Sequence, residues 1–225
     1  MKRVVVPELL DTDSGSPHDI EGSLADLRMI NRWFGGVHTM AGLIRKVAAR
    51  QKINSLSWLD AAGSSGDVAA LTGESLSRSG LQVHPVLLDS AVTHLNGKYP
   101  SVCSDAMKMP FRDNSFDVVG STLFVHHLEP LQIIAFINEA LRVCRYAVLI
   151  NDLVRSRMHL AMSYAGYLLY RSPLTRHDAV ASVRRAYTVE EMNALLKQTS
   201  AASVDIQRFF MFRMGVIAWK RPITI

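Results

Sequence analysis

Three acids occupy positions from which a carboxylate can hold a ligand. The segment LDAAGSSGD (59–67) leaves an apolar run through small residues, so that Ala62, Gly63, Ser64 and Gly66 let the backbone approach a ligand closely. Asp60, at the end of that run, can accept from a charged amine or order the loop. Asp89 closes VHPVLLD (83–89), where a carboxylate can accept both hydroxyls of an adenosine ribose. Asp105 follows Val102-Cys103; its carboxylate can accept an adenine amino hydrogen while the Ala106 N–H donates to the ring. Any one of these acids could serve only as a turn or helix cap. The ordered set, each beside a strand end, points to an adenosine-containing cofactor. A phosphate cradle fits poorly, because no Lys stands in a Walker arrangement and Asp60 and Asp67 would repel phosphate.

A second group of residues faces the other reactant. His126 and His127 follow the apolar segment FDVVGSTLFV, and imidazole can accept a proton near neutrality from a phenol or an activated carbon acid. Adjacent residues point different ways, so His126 is expected as the catalytic base and His127 as an acceptor contact; a ring that merely bridges two loops is the alternative. RSRMHLAMSYAGYLLYR (155–171) brings Arg155, Arg157, Tyr164 and Tyr167 as candidate acceptor-binding residues, with Met158, Met162 and Tyr170 beside them. Such a segment can line a pocket for an aromatic or lipid-like molecule, and its arginines can hold an anionic substituent; helical core packing explains the methionines equally well. The only cysteines, Cys103 and Cys144, are expected as buried thiols, and no metal site is expected.

These residues need a scaffold with several strand ends close together. LSWLD (56–60), VHPVLLD (83–89), FDVVGSTL (116–123) and YAVLIND (146–152) read as short apolar strands, and residues 130–143 as a helix with Ile133, Ile134, Ile137 and Leu141 toward a sheet. Continuous apolar strands joined by helices indicate an α/β fold with a mostly parallel sheet covered on both faces. Two helical stretches separated by Gly35-Gly36 form a cap over 23–49, with Asn31 and Arg32 as possible polar contacts. A helix is expected over 156–170, a polar turn around Pro173, and a further helix over 189–197 behind the Thr188/Glu191 capping box. SVDIQRFF and MFRMGVIAWK read as a final, antiparallel pair of strands. The expected organisation is a flexible leader over 1–22 and a single domain over 23–225, with the cap at 23–49 and an acceptor-side insertion at 154–187.

Composition narrows the partners. The 225 residues carry 25 basic and 20 acidic side chains, a formal charge of +5, and residues 142–225 hold 13 of the basic and 5 of the acidic ones. No dense Lys/Arg run is interleaved with aromatics, which argues against nucleic acid. No apolar run approaches the roughly 20 residues of a membrane span. The start, MKRVVVPELLD, reaches Glu8 and Asp11 before a signal-peptide core can form, so a cytoplasmic location is expected. The oligomeric state is left open.

Across about residues 56–152 the sequence resembles the class I S-adenosylmethionine-dependent methyltransferases, especially the small-molecule branch that includes ubiquinone/menaquinone C-methyltransferases. The resemblance rests on LDAAGSSGD (59–67), VLLD (86–89), SDAMKMPFRDNSFDVVGSTLFVHHL (104–128) and EALRVCRYAVLIND (139–152). It implies a Rossmann-like sheet and S-adenosyl-L-methionine as cofactor. Asp60 and the 62–66 backbone would meet the methionine part, Asp89 the ribose, and Asp105 and Ala106 the adenine, with Thr122 to Val125 passing beside the sulfonium. The family's glycines two, four and six positions after the first acid are here Ala62, Ser64 and Gly66. Segment 154–187, with DLRMINRWFGG (26–36), is similar to methyltransferases encoded beside type III polyketide synthases. Methyl transfer to oxygen or carbon of a small aromatic, quinol-like or polyketide acceptor is what these resemblances imply. The rival readings are an NAD-dependent oxidoreductase, whose G-x-G-x-x-G is interrupted by Ala62, Ser64 and Ser65, and a non-catalytic cofactor-binding interaction domain.

Overall fold

The computed structural model describes residues 1–12, 15–92, 95 and 97–221. A helical cap comes first: α1 (Pro17–Trp33) and α2 (Gly36–Gln51) meet at Gly35, whose φ of 86° is one that glycine adopts without steric cost. α1 begins ahead of the expected Ser23, because the Ser16 side chain accepts from the Asp19 N–H and Pro17 sits where a missing N–H costs nothing. Then follow β1 (Ser55–Ala61), α3 (Asp67–Ser77), β2 (Gln82–Asp89), β3 (Ser101–Cys103), β4 (Phe116–Thr122), α4 (Pro130–Val143) and β5 (Cys144–Leu153). The chain closes with α5 (Arg157–Ala165), α6 (Pro173–Arg185), α7 (Val189–Leu196), β6 (Ser203–Phe209) and β7 (Arg213–Trp219).

The seven strands form one sheet in the order β3-β2-β1-β4-β5-β7-β6. β1 pairs in parallel with both β2 and β4, while β7 runs antiparallel to both β5 and β6. The strand order therefore reverses between β1 and β4, and the crevice beyond their carboxyl ends is where such sheets bind ligands. Alternation along β1 supplies both cores. Leu56 and Trp58 pack with α2 and α3 residues such as Ile44 and Leu76, whereas Leu59 packs with Ile133, Phe136 and Met192 of α4 and α7. The fold is thus the expected α/β sheet, mostly parallel, with helices on both faces and an antiparallel C-terminal pair.

Three expectations need correction. The helix expected over 156–170 stops at Ala165 and continues only as a tight turn over Gly166–Leu168. Pro173 does not lie in a polar turn but opens α6, because Ser172 caps the Leu174 N–H and the ring occupies the first helical turn. Cys103 is exposed, since β3 forms one edge of the sheet; Cys144 is buried as expected. No helix among the described residues is long and apolar enough to cross a membrane.

Residues 1–12, within the stretch read as a leader, run against α6 and the ends of the sheet. The Val4 N–H donates to Arg184 O, and the Leu9 and Leu10 N–H groups donate to the two carboxylate oxygens of Asp178. Arg3 lies over the Tyr187 ring at 4.4 Å.

Candidate active site

The loop after β1 is shaped for close approach. Ala62 and Ser64 hold φ values of 57° and 47°, a left-handed conformation unusual for residues with a Cβ, and Gly66 follows at 74°. A Cβ at Gly63 would lie 2.9 Å from the Asp60 carbonyl oxygen, and one at Gly66 would lie 2.9 Å from Leu87 and 3.0 Å from Tyr99. The loop is tied to β2, since the Gly63 N–H donates to Leu88 O and the Ser64 N–H to Asp89 Oδ2. Gly66 then opens α3.

Asp60 is 2% exposed, and its Oδ1 has no hydrogen-bond partner among the described residues. Burial, and then the neighbouring Asp89 charge, push its carboxyl up to about 8. A buried acid with an orphaned oxygen beside a small-residue loop suits a cationic ligand group. Asp89 ends β2 and also accepts from the Ala91 N–H at 2.9 Å. Asp105 is exposed and accepts from the Met107 N–H at 2.8 Å, with Ala106 buried behind it. Thr122, half-buried at the end of β4, accepts from Asn151 Nδ2, which also donates to Gly36 O. Asp60 and Asp89 thus stand at the carboxyl ends of β1 and β2 and Asp105 just beyond β3, with β1 beside the reversal of strand order.

His126 is placed differently from a solvent-facing base. The tight turn Val125–His127 buries it to 2% exposure, with Nδ1 2.7 Å from Asp152 Oδ1 and Nε2 3.3 Å from Glu8 Oε1. Burial opposes its charge, but Asp152 and then Glu8 overcome that and push it up to about 10. An imidazole held as a cation has no lone pair to offer, so the base role expected for His126 does not follow from this geometry. His127 lies beside it, Nδ1 3.0 Å from Asp11 Oδ2, with its carbonyl accepting from Arg185.

The acceptor-side residues divide. Arg155 is buried and spent on Met1 O, Ala186 O and the Glu191 carboxylate. Arg157 is exposed at the start of α5. Tyr164 is exposed with its hydroxyl accepting from Arg184, and its ring lies 5.6 Å from that of half-buried Tyr167. None of these four lines the cavity of about 250 Å³ that opens between the cap, α5 and the β6–β7 turn. Its walls include Ile30 and Phe34, Met162 and Tyr170, and Phe212, and the basic side chains among them are His159 and Arg213.

His159 and Arg213 were not singled out from the sequence. His159 Nδ1 lies 3.0 Å from Val154 O, so that nitrogen carries the hydrogen and Nε2 keeps the lone pair. Burial and the nearby Arg213 charge hold the ring neutral, down at about 4, and Phe212 stacks on it at 4.9 Å. Arg213 is 1% exposed; Nε donates to Phe34 O and one amino group to Asn31 Oδ1, but Nη1 has no partner among the described residues. Burial lowers it to about 10, still a cation. A lone charge in the apolar run MFRMGVIAWK was the available signal for Arg213. Glu8 was missed because it fell within the supposed leader.

Residues 59–148 match the family model described as a methyltransferase domain. No curated protein matches the chain. Among solved structures the chain is similar to the plantazolicin methyltransferase BpumL, in complex with a pentazolic desmethylPZN analog and SAH, at 14% identity and a TM-score of 0.68 over 95% of each chain. A SAM-dependent methyltransferase from Aquifex aeolicus is similar at 16% identity and a TM-score of 0.55, over 78% of this chain and 89% of that one. The CMeT domain of the citrinin polyketide synthase is 13% identical with a TM-score of 0.55, over 75% of this chain and 47% of that one.

Proposed function

We propose that the chain is a class I S-adenosylmethionine-dependent methyltransferase and that it methylates a small, largely apolar acceptor through an ionisable phenol or enol group. The observation that carries the acceptor class is the pairing of a neutral imidazole and a buried, incompletely bonded guanidinium in one apolar cavity.

The cofactor supplies an electrophilic methyl group on a sulfonium. The chain's own residues fit it at the crevice: Asp60 and the 62–66 backbone for the methionine part, Asp89 for the ribose, Asp105 and Ala106 for the adenine, and Thr122 beside the sulfonium. The orphaned Asp60 oxygen and the loop that would not admit a Cβ at Gly63 support this assignment.

Methyl transfer to an acidic oxygen, or to the carbon of an enolate, needs the acceptor as its anion. His159 Nε2 is the proton-accepting atom on the cavity wall, and Arg213 Nη1 holds the resulting oxyanion. The Arg213 guanidinium makes a bound hydroxyl more acidic, which eases proton transfer to a ring of low basicity. Ile30, Phe34, Met162 and Tyr170 exclude water and orient the acceptor. The α1–α2 junction joins the two halves of the site, because Gly36 O accepts from Asn151, which also reaches Thr122, while Phe34 O accepts from Arg213. His126 then positions the strand ends and does not take the proton.

The similar structures bound to a pentazolic compound and belonging to a polyketide synthase support an extended aromatic or polyketide-like acceptor. The test pairs labelled methyl donor with phenols, quinols and β-dicarbonyl polyketides, and with their O-capped analogues. Label is expected in the ionisable compounds and not in the capped ones. Efficient transfer to a defined RNA or an amine, with every phenol and enol inert, would overturn the acceptor class.

A further inference from the structure

Outside the cofactor crevice and the acceptor cavity, one cluster gathers metal-ligating atoms. Glu8, His126 and His127 present one carboxylate oxygen and two imidazole nitrogens that all lie within 4.8 Å of one another. We propose that these three residues bind one divalent transition-metal ion of the zinc class, which fastens residues 1–12 to the carboxyl ends of β4 and β5.

The spacing suits such an ion. His126 Nε2 and His127 Nε2 stand 3.3 and 3.8 Å from Glu8 Oε1. Tetrahedral ligands at metal distances of ~2.1 Å stand about 3.4 Å apart, close to both nitrogen–carboxylate distances. The outer contacts are those that metal-bound histidines make. The nitrogen of each ring that faces away from the cluster meets a carboxylate: His126 Nδ1 meets Asp152 at 2.7 Å, and His127 Nδ1 meets Asp11 at 3.0 Å. A bound metal ion would displace the proton from each Nε2, and carboxylates in that position keep the remaining hydrogen on Nδ1. His126 Nε2 is buried and lacks an aligned hydrogen-bond partner among the described residues, although Glu8 lies at ion-pair distance.

Charge and donor type narrow the ion. Glu8, Asp11 and Asp152 supply three negative charges. Arg185, 3.6 Å from the Asp11 carboxylate and 3.4 Å from His127 Nδ1, and Arg213, which interacts with the Asp152 charge, return two positive charges, so with neutral imidazoles the surroundings keep a net negative charge that favours a cation. Two nitrogens and one oxygen favour zinc or a neighbouring transition metal over calcium or magnesium, which prefer all-oxygen shells. The Ser182 hydroxyl donates to Glu8 Oε1 at 2.8 Å and orients that carboxylate. Three protein ligands leave a fourth position for water, on the side of the partly exposed His127 and Asp11.

The placement gives the ion a structural role. His126 and His127 follow β4, Asp152 is the penultimate residue of β5, and Glu8 and Asp11 belong to the segment that precedes the cap. None of these five residues is assigned to the cofactor crevice or lines the acceptor cavity, so the site can fail without the proposed acceptor chemistry failing with it.

The experiment uses the full chain, stripped with a chelator and dialysed. Titration with Co²⁺ should give visible d–d absorption saturating at one equivalent, and Zn²⁺ should displace it. Zn²⁺ should also raise Tm and slow tryptic cleavage after Arg3. Glu8→Gln should weaken binding at least a hundredfold, and Asp11→Asn by about ten- to a hundredfold, with far-UV circular dichroism unchanged. Asp11 is partly exposed, so its variant decides the matter if Glu8→Gln does not fold. Absence of saturable one-equivalent binding, or equal affinity in the wild type and the folded variants, would overturn the proposal.

Discussion

The Ser64 N–H donates to Asp89 Oδ2 across 2.9 Å, so the loop after β1 and the end of β2 are one piece of structure. Asp89 would therefore act twice, by orienting the loop and by accepting from the ribose. Asp89→Ala is expected to weaken binding of S-adenosylhomocysteine tenfold or more, in line with the roughly 1.5–3 kcal/mol of charge-assisted hydrogen bonds. Calorimetry measures this directly. An unchanged Kd in a variant with wild-type Tm would remove Asp89 from the cofactor map.

Asp60 makes the unliganded protein sensitive to pH. Its carboxyl sits at about 8 in the fold, against an ordinary value of 3.8, because burial and the Asp89 charge disfavour its ionised form. The folded state therefore binds more protons at this group than the unfolded chain does between these values. Its contribution to stability is fully present below pH ~4 and is lost as pH rises toward ~8. Asp60→Asn should flatten that decline, so that the variant gains on the wild type from pH 5 to 8 in urea denaturation. A difference between the two proteins that stays constant across that range would show that Asp60 does not titrate as described.

The cofactor half of the fold was legible because its signals are local. Apolar runs ending in Asp60 and Asp89 mark β1 and β2, and the small residues between them mark the loop. The proposed acceptor cavity was not, because its polar groups meet through tertiary packing. His159 comes from α5 and Arg213 from β7, 54 residues apart in the chain, and only the fold brings both to one cavity. Tyr164 and Tyr167 lie on the segment that walls the cavity, but Tyr170 lines it and they do not. His126 could not be read because its partner Glu8 lies more than a hundred residues away, in a segment with no periodicity of its own.

Arg213 joins stability to acceptor recognition. Its guanidinium donates to Phe34 O and Asn31 Oδ1 and interacts with the buried Asp152 charge, so its removal leaves those groups without a partner. Arg213→Met should lower Tm, while the folded variant keeps its cofactor affinity. It should raise KM for a phenolic acceptor and lower kcat/KM by about ten- to a hundredfold, the loss of a charge-assisted hydrogen bond. The defect should shrink with more acidic phenols, which need less help to ionise. Unaltered kinetics in the folded variant would place the acceptor elsewhere.

His126→Ala tests whether this ring is a base or a clamp. The side chain lies between Asp152 and Glu8 with all three groups buried, so its removal leaves two carboxylates without their shared partner. Breaking a buried ion pair from one side typically costs about 3–5 kcal/mol. A loss of that size is expected in urea denaturation with chelator present, so that the imidazole–carboxylate contacts are measured apart from any metal. His127→Ala removes a ring that is one-fifth exposed and paired with a half-exposed acid, and should cost about 1 kcal/mol or less. The contrast between adjacent histidines is the diagnostic, because a catalytic base would give the opposite pattern: a folded His126→Ala with turnover reduced about a hundredfold or more. Wild-type stability together with such a loss of turnover would restore the base assignment and leave His159 without its proposed role.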